Sequence, residues 1–189
     1  MVTIGFIVEG DTEKILFSSP AFQNYLTSIN IKYIPEIINA GGNGNLLPHN
    51  ISELSQILVN KGAQKIFVIT DLDNDACVTQ TKERIKPADI HQCIISKKTI
   101  ESWFLADTQT IRKYLNSADF TCLDPENINN PFDEIKTQRM LLQNRGVSDK
   151  KILVKNLLNL GLSFENIIAN PNCTTANYFH NKLIAYSNN

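Results

Sequence analysis

Short apolar runs alternate with amphipathic stretches along the first two thirds of the chain. Three of these runs, Thr3–Val8, Lys65–Thr70 and Gln92–Ser96, are short and rich in β-branched residues, which predicts buried strands. The run 31–38 predicts a further strand, in which Pro35 indicates an edge position or a bulge. The pattern therefore predicts four strands spread over the first hundred residues.

Between these strands the apolar residues follow helical spacing. The first predicted helix is capped by Asp11 or Thr12 and ends or bends at Pro20. Further helices are predicted near 51–60, from the acidic loop after residue 70 to about Lys86, and over 99–115 as one helix or two. Strands that alternate with helices predict an α/β fold, with a Rossmann-like, mostly parallel sheet flanked by helices.

The pattern changes after Leu115. Residues 119–138 are polar and rich in turn-forming residues, and they separate the sheet region from two later predicted helices. One helix is predicted over 148–160, capped by Ser148 and stopped by Gly161, and another over 174–186. We therefore expect an α/β domain over residues 1–118 and a small helical cap over 119–189, packed together as a single globular unit.

Composition is consistent with one globular domain and argues against electrostatic binding to nucleic acid alone. The chain has 189 residues, of which 42% are hydrophobic and 20% charged. Its 18 Lys+Arg and 19 Asp+Glu give a formal net charge of −1 at pH 7, which is not the basic balance of a free-standing nucleic-acid binder. A phosphate-bearing substrate would need a bound metal, a local basic patch or a partner.

The remaining compositional features favour a cytoplasmic protein. The four cysteines are far apart and lack the paired spacing of a zinc site. The chain begins without a basic leader, and no apolar run approaches the roughly 18–20 residues needed to cross a membrane. We therefore expect reduced thiols, a cytoplasmic location and no membrane partner.

Acidic residues follow two of the predicted strands. Glu9 ends the first strand, and Asp71 and Asp73 end the strand at 65–70. Because ligands of parallel sheets bind beyond the carboxyl ends of the strands, these carboxylates are candidates to hold Mg²⁺ or Mn²⁺. Taken singly, Glu9 also fits a helix cap, and the Asp71–Asp73 pair fits a plain acidic turn. Asp11 and Asp75 fit structural roles better.

Other site patterns do not match the chain. A calcium loop beginning at Asp71 requires Gly where Ala76 stands and Glu where Lys82 stands. The glycines of the loop 40–45 are not followed by the Gly-Lys-Ser/Thr of a phosphate-binding loop. The three histidines are isolated from one another and from any serine or acidic residue in a catalytic pattern.

Three segments resemble the Toprim domains, especially those of OLD-type nucleases and their small bacterial relatives. The segment 7–13, IVEGDTE, resembles the "VEGxTE" signature of these domains. The segment 67–73 is a hydrophobic strand ending in DxD, which resembles their second motif. The segment 98–107, KTIESWFLAD, resembles a block of compact Toprim-like bacterial proteins of poorly defined function. Together these likenesses extend over residues 3–115.

The resemblance implies a role for each matching acid. Glu9 matches the Toprim glutamate that acts as a metal ligand or general base. Asp71 and Asp73 match the metal ligands of the DxD motif. Glu13 and Glu101 match acids that OLD-type members use for a second metal, so one or two ions of Mg²⁺ or Mn²⁺ are implied.

The resemblance also implies substrate contacts and a catalytic lysine. Thr99 stands where the relatives carry a small hydroxyl residue, and we expect it to contact substrate together with Lys98. The late lysine of OLD-type nucleases has two candidates here, Lys151 and Lys155, of which we take Lys151 as the catalytic residue. Solvated helix lysines are the alternative interpretation of both.

The function that the resemblance implies is a metal-dependent nuclease acting on DNA or RNA, which would serve as an effector of a bacterial phage-defence or repair system. OLD-type nucleases carry a fused ATPase that this chain lacks, which implies a separate ATPase or sensor as partner. Two alternatives stay open. One is a non-catalytic binding module, and the other is a phosphatase of the haloacid dehalogenase type, whose nucleophile strand resembles residues 68–73.

Overall fold

A parallel sheet forms the centre of the protein. The structure is a computed structural model that describes residues 2–73, 75–85 and 90–187. The strands are β1 (Thr3–Val8), β2 (Lys32–Tyr33), β3 (Ile38–Asn39), β4 (Lys65–Asp71) and β5 (Gln92–Ser96). Their order is β2-β1-β4-β5, β3 also pairs with β1, and every pairing is parallel. The predicted α/β fold with a parallel, helix-flanked sheet is confirmed.

Helices connect the strands and continue through the last third of the chain. Those of the sheet region are α1 (Asp11–Phe17), α2 (Pro20–Ser28), α3 (Pro48–Asn60), α4 (Val78–Ile85), α5 (Glu101–Ala106) and α6 (Thr108–Leu115). Those of the last third are α7 (Pro131–Gln143), α8 (Lys150–Asn159), α9 (Phe164–Ile168) and α10 (Thr174–Ser187). Among the helices in the described ranges, none combines the length and the apolar character that a bilayer crossing requires.

The alternation of side chains in β1 divides the interior into two cores. Phe6 and Val8 point into the larger core, which contains α1, α2 and α5 as well as the last four helices. Ile7 points to the opposite face, where α3 supplies Ile51 and Leu58 to a smaller core. Because successive side chains of a strand alternate between faces, a strand covered on both sides is apolar throughout. The continuous apolar run of β1 follows from this position.

Aromatic side chains from distant parts of the chain meet in the larger core. Phe179 of α10 has its ring centroid 6.3 Å from Phe6 of β1 and 6.0 Å from Trp103 of α5. Phe164 of α9 approaches Trp103 at 5.8 Å and Tyr25 at 4.7 Å. The helices after residue 118 therefore cover one face of the sheet and share its core.

A buried acid anchors the last helix to this core. Glu126 is 1% exposed and accepts hydrogen bonds from Thr174 Oγ1 at 2.6 Å and from the backbone N–H of Thr175 at 2.8 Å. The Thr175 hydroxyl also accepts a bond from Trp103 Nε1 at 2.8 Å. These bonds satisfy donors at the start of α10, where a helix has no partners of its own.

Two predicted elements differ from the structure because of proline and of tertiary packing. The strand predicted over 31–38 is divided into the two-residue strands β2 and β3, with Pro35 between them. Proline has no N–H to donate to a strand ladder, so pairing stops and resumes around it. The polar segment 119–138 contains the first half of α7, which begins with Asn130 as its cap and Pro131 at its first position.

The predicted cap of α8 is wrong, whereas its predicted end is correct. Asp149 and not Ser148 caps α8, since its side chain accepts from the N–H of Ile152 at 2.8 Å. The stop at Gly161 is confirmed, because this residue adopts φ +102°, a left-handed conformation that favours glycine. The predicted end of the polar helix near Lys86 lies outside the described residues.

Candidate functional site

The carboxyl ends of β1 and β4 are joined through Glu9. Its backbone N–H donates to the Ile69 carbonyl at 3.1 Å. Its Oε2 accepts from Thr70 Oγ1 at 2.5 Å and from the backbone N–H of Asp71 at 3.1 Å. Parallel pairing of the two strands, with Val8 opposite Ile69, places this glutamate at the edge where a parallel sheet binds its ligands.

Asp71 is the last residue of β4 and lies beside Glu9 at this edge of the sheet. It is 6% exposed and accepts a hydrogen bond from the Ser96 hydroxyl at the end of β5. Burial raises the pKa of Asp71 well above its usual value, and the nearby carboxylate of Glu13 raises it further. The hydrogen bond from Ser96 opposes this change but does not cancel it.

Glu13 faces the same edge from the first turn of α1. It is 5% exposed, and burial raises its pKa to about 7, with Glu9 and Glu101 adding to the increase. A side chain at Gly10 would place its Cβ only 3.2 Å from Glu13 Oε2, so the small residue before the helix leaves room for this carboxylate. The turn between β1 and α1 thus directs the second acid of IVEGDTE into the site.

Glu101 is the most deeply buried of the acids. Its side chain is fully buried, and Oε2 accepts from Lys150 Nζ at 3.2 Å. Within the part of the chain that the structure describes, neither Glu101 Oε1 nor the buried hydroxyl of Thr99, two residues earlier, has a hydrogen-bond partner. An unpartnered buried carboxylate oxygen is costly, so the free Oε1 is a position where a bound cation would be stabilising.

Lys150 brings positive charge to these carboxylates. It is the first residue of α8, and its half-buried side chain reaches Glu101. Burial alone would lower the pKa of Lys150, but Glu101, Asp71 and Glu13 outweigh burial, and the net change is an increase. The ammonium group is therefore charged at neutral pH. We call Glu9, Glu13, Asp71, Glu101 and Lys150 the carboxylate cluster.

Asp73 and Lys98 lie at the rim of the cluster. Asp73 is exposed, and its backbone N–H donates to the Lys98 carbonyl at 2.9 Å. Both residues have left-handed backbone conformations, with φ +48° and φ +65° respectively. Such values are uncommon for residues other than glycine and are often found at functional sites.

A cleft of about 270 Å³ opens beside the cluster. It is lined by Asp73, Lys98, Thr99, Asn129, Asn130, Phe132 and Lys150. Both sequence-predicted substrate contacts, Lys98 and Thr99, thus line one cleft with Lys150.

The two lysines considered from the sequence lie elsewhere. Lys151 is exposed and approaches Asp11 at 3.4 Å, outside the carboxylate cluster. Lys155 is exposed beside a different cavity, next to α1 and α2. Sequence reasoning missed Lys150, because only the packing of α8 against α1 and α6 decides which lysine of this helix reaches Glu101.

The acids converge without forming a ready coordination shell. In residues 2–73, 75–85 and 90–187, no three Asp, Glu, His or Cys side chains are arranged so that they could hold a metal ion. Oxygens of Glu9, Asp71 and Glu101 bond instead to Thr70, Ser96 and Lys150, respectively. The donor chemistry nevertheless fits a hard divalent cation, which prefers carboxylate oxygens and would pair with the free Oε1 of Glu101.

Comparison with known proteins gives a family but no activity. No curated protein and no solved structure is significantly similar to the chain. One family model, described as "Domain of unknown function (DUF4276)", matches residues 8–184, a range that includes every residue of the carboxylate cluster. The chain therefore belongs to the DUF4276 family.

Proposed function

We propose that the protein is a divalent-metal-dependent nuclease that hydrolyses phosphodiester bonds of DNA or RNA. The observation that carries the proposal is the carboxylate cluster. Four acids from three separate segments meet at the ligand-binding edge of a parallel sheet, and the deepest of them has one oxygen without a partner among the residues that the structure describes. The resemblance of residues 3–115 to Toprim domains supports the same activity.

The proposal assigns one or two ions of Mg²⁺ or Mn²⁺ to this cluster. Glu9, Glu13, Asp71 and Glu101 would hold them, with Asp73 contributing from the rim. Bound there, such ions supply an activated water and charge stabilisation for the leaving oxygen of a phosphodiester. Since three of these acids now bond to protein groups, binding requires some of the carboxylates to exchange their present partners.

Positively charged side chains of the protein would act on the substrate. Lys150 is charged, belongs to the cluster and lines the cleft, so it can neutralise negative charge that develops on a phosphate. Lys98 and Thr99 line the same cleft and can bind an adjacent phosphate oxygen. We assign the catalytic-lysine role to Lys150 in place of Lys151, because Lys151 is exposed and paired with Asp11.

A partner protein belongs to the proposal. The formal net charge of −1 gives little attraction between the whole chain and nucleic acid. A separate ATPase or sensor would therefore bring the nuclease to its substrate, as in a bacterial defence or repair system.

Cleavage by the purified protein tests the activity. We expect cutting of plasmid, single-stranded DNA or RNA with Mg²⁺ or Mn²⁺, and a loss of at least about a hundredfold in Glu9→Gln and Glu101→Gln, since each removes a ligand charge. The control is Glu53→Gln, which neutralises an exposed acid on α3 and should leave the rate unchanged. Cutting that persists in both site variants would disprove the role of the cluster.

Substitution of the neighbouring residues Lys150 and Lys151 tests which lysine of α8 has the catalytic role. Lys150→Met should lower the cleavage rate by about 10²–10³-fold, the usual cost of removing one group that stabilises developing charge. Lys151→Met removes the same charge from an exposed pair and should change the rate by less than about fivefold. The opposite ranking would return the role to Lys151.

Metal titration separates the proposal from its alternatives. If calorimetry detects Mg²⁺ or Mn²⁺ binding that Glu101→Gln abolishes, but no nucleic acid is cut, the site belongs to a non-catalytic binding module. Hydrolysis of small phosphate esters that Asp71→Asn abolishes and Glu9→Gln preserves would identify a phosphatase instead. Absence of both metal binding and cutting would overturn the proposed site.

A further inference from the structure

The cleft beside the carboxylate cluster has the size of a small ligand site. Its volume of about 270 Å³ lies just below the roughly 300–1,000 Å³ that small-molecule sites occupy. One wall comes from the loop after β4 and the segment after β5, and the other from the start of α7 and of α8. The space is therefore large enough for one small unit of a polymer and too small for a base pair.

Positive charge and a free hydroxyl lie on the side nearest the cluster. Lys98 and Lys150 line the cleft together with Thr99, whose hydroxyl is buried and has no hydrogen-bond partner among the described residues. Asp73, at the rim, is the single carboxylate among the described residues of this lining. Two ammonium groups are suited to the oxygens of a phosphate.

An aromatic ring lies on the side formed by α7. Phe132 lines the cleft from the first turn of this helix, and the ring centroid is 6.0 Å from Lys150 Nζ. The ring is half-buried against the larger core, which holds it in place, and Asn129 beside it offers an amide to a base edge. A cationic groove next to an aromatic ring is the usual arrangement for binding single-stranded nucleic acid.

We propose that this cleft receives one unpaired nucleotide, with its base on Phe132 and its phosphate between Lys98 and Lys150. This inference rests on the proposed nuclease function and adds the substrate class, namely single-stranded DNA or RNA. A base held in a duplex is stacked and paired on both sides, so it cannot enter a cleft of this volume. The nucleotide in the cleft would place the neighbouring phosphodiester beside the carboxylate cluster.

The test is the binding of fluorescent oligonucleotides to the full chain, measured by anisotropy. Ca²⁺ replaces Mg²⁺ in these assays, since it takes the same oxygen ligands. We expect a single strand to bind at least about tenfold more tightly than a duplex of the same sequence, given the contribution of stacking per base. The same assay with DNA and with RNA oligonucleotides shows which of the two nucleic acids the cleft binds.

Variants locate the binding in the cleft. Phe132→Leu keeps an apolar side chain against the core but removes the ring, and it should weaken single-strand binding by about tenfold. Phe132→Tyr retains an aromatic ring and should retain the binding. Lys98→Ala should weaken binding and reduce the salt slope by about 0.7, the value for one phosphate contact of a single strand. Lys136→Ala, on an exposed part of α7 outside the cleft, should change neither.

The outcomes separate this inference from the function on which it rests. Single-strand binding that Phe132→Leu and Lys98→Ala weaken, without any cutting, supports the cleft and rejects the nuclease. Metal-dependent cutting with equal binding of duplex and single strand, or with no effect of Phe132→Leu, rejects the cleft and retains the nuclease. Failure to bind any nucleic acid in Ca²⁺ rejects the cleft.

Discussion

At the scale of single residues, the candidate site is a place where charge is buried at a cost to stability. Glu13 and Asp71 are almost fully buried, close to each other and to two further acids, and their pKa values are raised for that reason. Lys150 offsets only part of this repulsion. Sites that bind cations or substrates commonly retain such unfavourable arrangements, because function requires the charges to be there.

Glu13→Gln should stabilise the metal-free protein at high pH. The pKa of Glu13 is about 7 in the folded protein, against an ordinary value of 4.5 for a glutamate, so the folded state binds the extra proton between these values. The free energy of unfolding therefore falls as pH rises through this window, by a total of about 3 kcal/mol. Thermal unfolding in EDTA should show the variant more stable than wild type at pH 8 and no more stable at pH 4.

If Glu13→Gln stabilised the protein at pH 4 as much as at pH 8, or more, the raised pKa of Glu13 could not explain the effect. Excess Mg²⁺ should give the opposite ranking at pH 8, since the bound ion stabilises the wild-type carboxylate and Gln offers a weaker ligand.

At the scale of elements, the approach of α3 to β1 depends on a glycine. A Cβ at Gly5 would lie 2.9 Å from Leu58 Cδ1 and 3.1 Å from Ala63 Cβ, closer than such atoms come in folded proteins. Glycine inside a strand usually weakens it, and here it allows a helix to pack directly on the backbone. The same contact fixes β1, whose end carries Glu9 into the site.

Gly5→Ala should therefore destabilise the protein by about 1–3 kcal/mol, the usual cost of overpacking a core. Urea unfolding followed by circular dichroism would measure the loss. Gly44→Ala is the matched control, because no atom lies within 4 Å of a Cβ at that exposed position and its φ is not left-handed. Equal stability of the two variants would show that α3 moves away from β1 at little cost.

At the scale of the whole molecule, one core connects the sheet to the last four helices. Ile135, Leu153, Phe164 and Phe179 belong to the same buried cluster as the strands. The carboxylate cluster depends on this union as well, since Lys150 comes from α8 and its partner Glu101 from α5, 49 residues earlier. Neither the core nor the cluster is complete within residues 1–118.

A fragment of residues 1–118 should not fold cooperatively. Removal of the later helices exposes Phe6, Trp103 and the apolar face around them, which costs about 25 cal/mol for each Å² of apolar surface. We expect broad, non-cooperative thermal unfolding and binding of a hydrophobic dye, in contrast to the full chain. A sharp unfolding transition in the fragment would show that the sheet region is an independent domain.

The sequence by itself determined the features that depend on local patterns. Short apolar runs predicted the limits of β1 and β5, because strands covered on both faces are apolar throughout, and apolar residues at a spacing of 3.6 predicted most of the helices. The α/β class followed from the order of these elements, and the position of Glu9 and Asp71 followed from where their strands end. The assignment of these acids to metal stays a prediction.

Tertiary structure alone decided which distant groups meet. The start of α7 has few apolar residues, and its helix forms in part because Ile135 packs into a core that residues far along the chain complete. Likewise, nothing local distinguishes Lys150 from Lys151, and only the packing of α8 against α1 and α6 turns the first toward Glu101. Such contacts depend on the packing of whole helices, which no short stretch of sequence encodes.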